Sequence, residues 1–231
     1  MEENKNLVSI IIPAYNEENT ILEIIPKVAE IDLYKEIIVV NDGSSDSTLK
    51  CLNSIKDRYN LKIISLDKNY GKGYAIRKGI GQSSGSIIIT QDADLETDPS
   101  EYYKLLKPIL DGEAKVVFGS RFLGTIHNMG RLNYLGNKFL TFLANLLYRI
   151  RITDEATAYK VFSREILSDI ILKSNRFELC SELVAKIAKR KHKIVEVPIT
   201  FNGRSRDEGK KVRPLDGIVA IWTLLKYRFT E

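Results

Sequence analysis

The sequence has little of what most metal-bound or disulfide-stapled folds need. It carries only two cysteines, Cys51 and Cys180, and two histidines, His127 and His192. The cysteines stand far apart in no CxxC spacing, and neither histidine neighbours one, which excludes a disulfide framework or a zinc site. No uninterrupted apolar run reaches the roughly 18–20 residues that a membrane-crossing helix requires. The N-terminus, MEENKN, is acidic and polar where a secretory signal would begin basic and turn apolar, so a cytoplasmic protein is expected. No low-complexity or Pro/Gly/Ser-rich stretch divides the 231 residues, which predicts a single domain over 1–231.

Hydrophobic residues at 44% and charged residues at 28% are ordinary for a globular chain. A net charge of +5 suits an anionic partner, whether phosphate, nucleic acid or an acidic lipid surface. Nucleic acid is disfavoured because no basic-aromatic recognition motif is present.

Short β-branched runs recur at 8–13, 36–42, 61–66, 86–92 and 115–120, with helix-spaced segments between them. Near-continuous apolar strands alternating with helices predict an α/β fold, its mainly parallel, doubly wound sheet buried on both faces. The first helix is expected after Asn16, with Ile21, Leu22, Ile25 and Val28 inward. The second is expected to start near Ser45 or Ser47, whose hydroxyls can cap free N–H groups. Open α/β sheets bind ligands at the carboxyl ends of their strands. Here those ends are polar: Tyr15, Asn16, Glu17, Asp42, Asp92 and Asp94.

The run 131–152 predicts an amphipathic helix over about 131–151. Leu132, Leu135, Phe139, Phe142, Leu146 and Ile150 form one face, with Asn133, Asn137, Thr141, Asn145 and Arg149 on another. The apolar face either packs on the core or lies in a membrane interface, and periodicity does not choose between them. The segment 215–229, with Trp222, Lys226, Tyr227 and Arg228, poses the same pair of readings.

The strongest chemical signal is QDADLE directly after the strand SIIIT. Carboxylates at Asp92, Asp94 and Glu96 can hold a hard divalent cation in one crevice. Such an ion would neutralise a diphosphate leaving group. A lone DxD is more often a solvated loop, so context must decide. Gly71, Lys72 and Gly73 open a helix after the third strand, where small residues permit close backbone approach. GKG is neither GxGxxG nor a Walker loop, which disfavours a dehydrogenase or a P-loop ATPase.

The context is an ordered set: VSIIIPAYNEENTI, EIIVVNDGSSDST, DKNYGKGYAIRKGI and then the DAD. In these motifs the chain resembles the family 2 glycosyltransferases, and within them the dolichyl- or polyprenyl-phosphate mannose (or glucose) synthase branch. The resemblance spans nearly the whole chain and implies a GT-A fold, a Rossmann-like nucleotide-sugar transferase domain. It implies that Pro13, Tyr15, Glu17, Asp42, Lys72, Gly73, Asp92, Ala93 and Asp94 bind the nucleotide sugar. Without these neighbours, Asp42 in NDGSSD reads as a turn residue. It further implies that Asp92, Asp94 and Glu96 hold Mg2+ or Mn2+. Many mannose synthases carry Gln at the position of Glu96, so the carboxylate is a departure.

By the same resemblance Arg121 and Arg131 grip an acceptor phosphate, a task suited to the bidentate guanidinium fork; each alone also reads as a solvated loop arginine. In FNGRSRDEGKK, Arg204 and Lys210 would compensate the phosphate charges and, with Asp94, form the catalytic set. Ala158 in TDEATAYKVF, and Cys180 with Ser181, depart from the family pattern on the acceptor side. The implied reaction is an inverting, metal-dependent transfer of a hexose from a GDP-mannose or UDP-glucose type donor to polyprenyl phosphate. A phosphate monoester, with its second pKa near about 6, needs no strong base. The implied partners are the nucleotide sugar, the lipid phosphate and the cytoplasmic face of a membrane, touched peripherally, alone or through a separate membrane subunit. Two other readings stay open. One is transfer to a sugar hydroxyl with Glu96 or Glu182 as base, although the QxxRW signature of processive polysaccharide synthases is missing. The other is a nucleotide-sugar-binding module without turnover.

Overall fold

The computed structural model describes residues 6–204, 211 and 214–231. Its strands are β1 (Val8–Ala14), β2 (Lys35–Asn41), β3 (Leu61–Ser65), β4 (Ile87–Thr90), β5 (Val116–His127), β6 (Lys160–Ser163) and β7 (Ile194–Asn202). The helices are α1 (Ile21–Glu30), α2 (Thr48–Ile55), α3 (Lys72–Gly81), α4 (Tyr102–Leu110), α5 (Arg131–Tyr148), α6 (Arg164–Ser168), α7 (Leu179–Lys189) and α8 (Pro214–Phe229).

The strands form one seven-stranded sheet in the order β3-β2-β1-β4-β6-β5-β7. β1 pairs parallel with β2 and β4, β2 with β3, and β5 with β7; β6 alone runs antiparallel to its neighbours β4 and β5. Successive side chains leave opposite faces of a strand. Thus Ile10 and Ile12 enter the core under α1 and α4, whereas Ile11 packs with Ala75 of α3 on the other side. Burial on both faces is the reason these strands read as unbroken apolar runs.

Several local expectations change. Leu22 is exposed, and Ile21, Ile24, Ile25 and Val28 form the buried stripe of α1. Ile24 lies three residues beyond Ile21 and so on its face, whereas Leu22 is rotated about 100° away. Neither Ser45 nor Ser47 caps α2; Asp46 does, its Oδ1 accepting from the backbone N–H of Thr48 at 2.9 Å. A carboxylate is the stronger acceptor here because it is charged. β5 continues past Ser120 to His127, with a register irregularity against β7 between Ser120 and Thr125, so Arg121 lies inside the strand.

The expected helix at 131–151 ends at Tyr148, where Arg149 takes a left-handed conformation with φ 55°. It packs through the buried Leu140, Thr141 and Ala144, with Leu143, Leu147 and Tyr148 half-buried against the core. Leu132, Leu135, Phe139, Phe142 and Leu146 all face outward. Asn145, from the polar face, bonds both the N–H and the C=O of Ile152. On α8, Leu224 and Tyr227 are buried while Ile218, Trp222 and Phe229 are exposed. The two helices meet where the Tyr148 hydroxyl donates to the Leu224 carbonyl at 2.6 Å. No helix among the described residues is long and apolar enough to cross a membrane.

Candidate active site

The site forms where β1, β2 and β4 end and the turn after β7 folds back across them. Pro13 lies at the end of β1 and Tyr15 just beyond it, both half-buried. Glu17 follows in the loop, and its backbone N–H donates to Thr48 Oγ1 at 2.8 Å, which ties this loop to the start of α2. The Glu17 carboxylate is buried among cations. Arg204 Nη1 donates to Oε2 at 3.1 Å, Arg204 Nη2 to Oε1 at 3.3 Å, and Lys211 Nζ to Oε1 at 2.5 Å. Lys211 also donates to the Tyr15 carbonyl.

Asp42 ends β2. Its carboxylate accepts from Tyr70 N–H at 2.8 Å, Gly71 N–H at 2.7 Å and Asn69 Nδ2 at 3.0 Å. A carboxylate has about four lone-pair sites, so most of its capacity already anchors the turn before α3. A base or ribose would have to share what is left. Gly71 has φ 104°, a conformation disfavoured for a residue with a Cβ. A Cβ on Gly73 would come within 2.8 Å of the carbonyls of Ser174 and Arg176. The close backbone approach at Gly73 is therefore made to residues 174–176 of this same chain.

Lys72, the first residue of α3, reaches across to Asp92 with Nζ–O distances of 2.6 and 2.7 Å. Burial opposes its ammonium, but Asp92, with help from Cys180 and Asp94, more than offsets this and the Lys72 pKa is raised. Asp92, the buried Ala93 and Asp94 form the loop after β4. Arg204 Nη2 donates to Asp94 Oδ2 at 3.1 Å, and the N–H of Glu96 donates to Asp94 Oδ1 at 3.1 Å. Burial first, then the charges of Asp92 and Glu96, push the Asp94 carboxyl up to about 7 against the pull of Arg204 and Lys72. The two nearby cations offset burial and the neighbouring carboxylates only in part.

Glu96 is spent differently. Its Oε1 accepts from the backbone N–H of Arg204 at 2.8 Å, and its carbonyl accepts from Asn202 at 2.9 Å, so it fixes the turn that brings Arg204 in. Among the described residues no three acidic, histidine or cysteine side chains converge on one metal position. The expected trio is thus reduced to Asp92 and Asp94, whose hard oxygens suit a divalent cation, with Glu96 as a support. Lys210 lies outside the described residues.

The acceptor-side arginines differ from each other. Arg121 makes a fork with Asp154, Nε to Oδ2 at 2.7 Å and Nη2 to Oδ1 at 2.7 Å. Both side chains are buried, at 9% and 0% exposure, which rules out the solvated loop arginine. Glu196 of β7 accepts from the N–H groups of Thr153 and Asp154 at 2.7 and 3.0 Å and so fixes the turn that carries Asp154. Arg131 is exposed at the first turn of α5. Glu182, the alternative base, is fully buried. It pairs with Lys186 at 2.5 Å and takes the N–H groups of Lys173 and Ser174, leaving it no freedom to accept a substrate proton.

Sequence reasoning missed the brace beneath the DAD. Gln91 Oε1 accepts from Tyr102 and Tyr159 at 2.8 and 2.7 Å, and Gln91 Nε2 donates to the Asp92 carbonyl at 2.9 Å. A lone Gln after an apolar strand was its only local signal. Tyr102 lies on the next helix, Tyr159 is 68 residues away, and β6, which begins just after Tyr159, is too short to read.

Comparison with known proteins identifies the family and the fold. The family model of glycosyl transferase family 2 matches residues 9–171. The chain is 31% identical over 209 residues to the dolichol-phosphate mannosyltransferase of Pyrococcus furiosus, covering 88% of itself but only 58% of that protein. It is 32% identical over 213 residues to the UDP-N-acetylglucosamine–dolichyl-phosphate N-acetylglucosaminyltransferase of Methanococcus voltae, covering 84% of each. A crystal structure of glucosyl-3-phosphoglycerate synthase from Mycobacterium tuberculosis, in complex with Mn2+, UDP-glucose and phosphoglyceric acid, superposes with a TM-score of 0.76 at 22% identity. The match covers 96% of this chain and 80% of that one and identifies the fold as GT-A. By its ordered motifs, its sheet and these likenesses, the chain is a glycosyltransferase and belongs to glycosyl transferase family 2.

Proposed function

We propose that the chain acts as one GT-A unit that transfers a hexosyl group from a nucleotide-diphospho sugar of the GDP-mannose or UDP-glucose type to a polyprenyl or dolichyl phosphate. The transfer is a single inverting displacement at the cytoplasmic face of a membrane. The observation that carries this proposal is the meeting of Asp92 and Asp94 with Lys72 and Arg204 where the strands end. Arg204 Nε is, in addition, a buried donor with no partner among the described residues. A buried N–H without an acceptor costs free energy, and a phosphate oxygen would satisfy it.

Mg2+ or Mn2+ held by Asp92 and Asp94 would supply the Lewis acid that stabilises the departing diphosphate. Lys72 and Arg204 bring fixed positive charge to the same oxygens as the anomeric bond breaks. Tyr15 and Pro13 border the nucleotide. Asp154 orients Arg121 toward the acceptor phosphate, which Arg131 and Lys210 also attract. The attacking phosphate oxygen is already ionised near neutrality, its second pKa being about 6, so no base is required. The engagement of Glu96 and Glu182 elsewhere weighs against a sugar-hydroxyl acceptor. The names of the Pyrococcus and Methanococcus relatives both include the dolichyl or dolichol phosphate that this proposal assigns as acceptor.

The test is transfer of label from a panel of GDP- and UDP-sugars to a short polyprenyl phosphate with Mg2+ or Mn2+. A labelled lipid that disappears with EDTA is expected. Donor hydrolysis with no lipid product would redirect the proposal to hydroxyl acceptors, and binding without either product would leave a non-catalytic module.

The outward apolar faces of α5 and α8 supply the membrane contact. Trp222, the single tryptophan, is 65% exposed and therefore a direct probe. Vesicles containing acidic lipid should shift its emission to the blue. Each large apolar side chain buried in the interface contributes about 1.5–3 kcal/mol. The double change Phe139→Asp with Phe142→Asp should therefore weaken vesicle binding at least about tenfold, since each 1.4 kcal/mol is a factor of ten. Both side chains are exposed, so unfolding should be unaffected. An unshifted Trp222 and no co-flotation with vesicles would point to a separate membrane subunit.

A further inference from the structure

We propose that Arg204 and Lys72 select the form in which metal enters the site: they occupy the metal's place on Asp94 and Asp92, so that a divalent cation binds together with a diphosphate and only weakly alone. The inference rests on the proposed nucleotide-sugar and metal site and adds to it what governs loading.

Asp92 directs both carboxylate oxygens at Lys72 Nζ. Asp94 gives Oδ2 to Arg204 and Oδ1 to the N–H of Glu96. Every one of these side chains is mostly buried, so water does little to screen the pairs. A bare cation arriving here must displace the Lys72 ammonium from Asp92 and Arg204 Nη2 from Asp94, and the buried Lys72 charge then loses its carboxylate partner, the costly half of breaking a buried pair.

A diphosphate changes the balance because it offers oxygens to the displaced cations as the metal takes the carboxylates. Arg204 can make this exchange without leaving the site. Glu17 holds Nη1 and Nη2 at 3.1 and 3.3 Å, and Glu96 holds its backbone N–H at 2.8 Å. Only the Nη2 contact to Asp94 has to be given up, while Nε, buried and unpartnered, gains an acceptor. Lys211 provides an internal contrast: it pairs with Glu17 and not with Asp94.

The experiment measures Mn2+ binding by electron paramagnetic resonance of the free ion. It compares the full-length wild type, Arg204→Gln and Lys211→Gln, with and without saturating UDP or GDP, after correction for Mn2+ bound by the nucleotide in solution. Wild type should bind Mn2+ at least tenfold tighter with diphosphate than without. Arg204→Gln should bind bare Mn2+ at least tenfold tighter than wild type and lose most of the nucleotide effect, whereas Lys211→Gln should change bare affinity less than threefold. Circular dichroism verifies that each variant is folded. Equal tightening by the two variants would reduce the effect to net charge and overturn the proposal, as would unchanged bare affinity in Arg204→Gln. Wild type that binds Mn2+ equally with and without nucleotide would overturn this inference alone. Wild type that binds none even with nucleotide would remove the metal from the proposed function as well.

Discussion

Asp94→Asn is expected to lower transfer about 1000-fold, roughly 4 kcal/mol of transition-state stabilisation, while thermal unfolding stays at or above the wild-type temperature. The two outcomes come from one environment. Asp94 is packed against Asp92 and Glu96, and burial with those charges already disfavours its ionised form in the free protein. A neutral amide of the same shape relieves that repulsion. Arg204 is not orphaned by the change, because Glu17 retains it at 3.1 and 3.3 Å. The proposed metal-assisted transfer calls for the negative charge that burial and the neighbouring carboxylates disfavour. A melting temperature that falls together with activity would make Asp94 a structural residue and withdraw it from the catalytic set.

Asp154→Ala should do the reverse of Asp94→Asn at the level of the fold. It leaves Arg121 buried without its partner, a loss of about 3–5 kcal/mol. For a chain of this size that corresponds to a fall in Tm of roughly 10 °C. Pairing it with Arg121→Leu should restore most of the stability, since removing both members of a buried ion pair is often nearly neutral. If Arg121 also grips the acceptor phosphate, the restored double variant should still bind nucleotide while its KM for polyprenyl phosphate rises at least about tenfold, or 1.4 kcal/mol. A stable double variant with an unchanged acceptor KM would leave the Arg121–Asp154 pair as a purely structural brace.

The two predictions mark different degrees of legibility. The placement of Asp92 and Asp94 at a strand end could be read directly because their spacing is local: carboxylates one residue apart after an apolar strand. The pairing of Arg121 with Asp154 could not, since 33 residues and α5 separate them. Likewise, Glu96 has the right chemistry and spacing for a ligand, yet the return of the chain after β7 claims it for the N–H of Arg204.

The sequence by itself determined the fold class, the first five strands along the chain and the glycosyltransferase family. Those features depend on apolar periodicity and on short motifs, which act between residues close in the chain. Tertiary structure alone decided which cation or N–H each carboxylate holds, that Gly73 packs on residues 174–176, that Gln91 is braced by Tyr102 and Tyr159, and that α5 turns Leu132, Leu135, Phe139, Phe142 and Leu146 outward. An amphipathic pattern states that a helix has two faces, but the face that is covered depends on neighbours. Here Leu140, Thr141 and Ala144 fill the space against the core, and Phe139 and Phe142 are left for another surface.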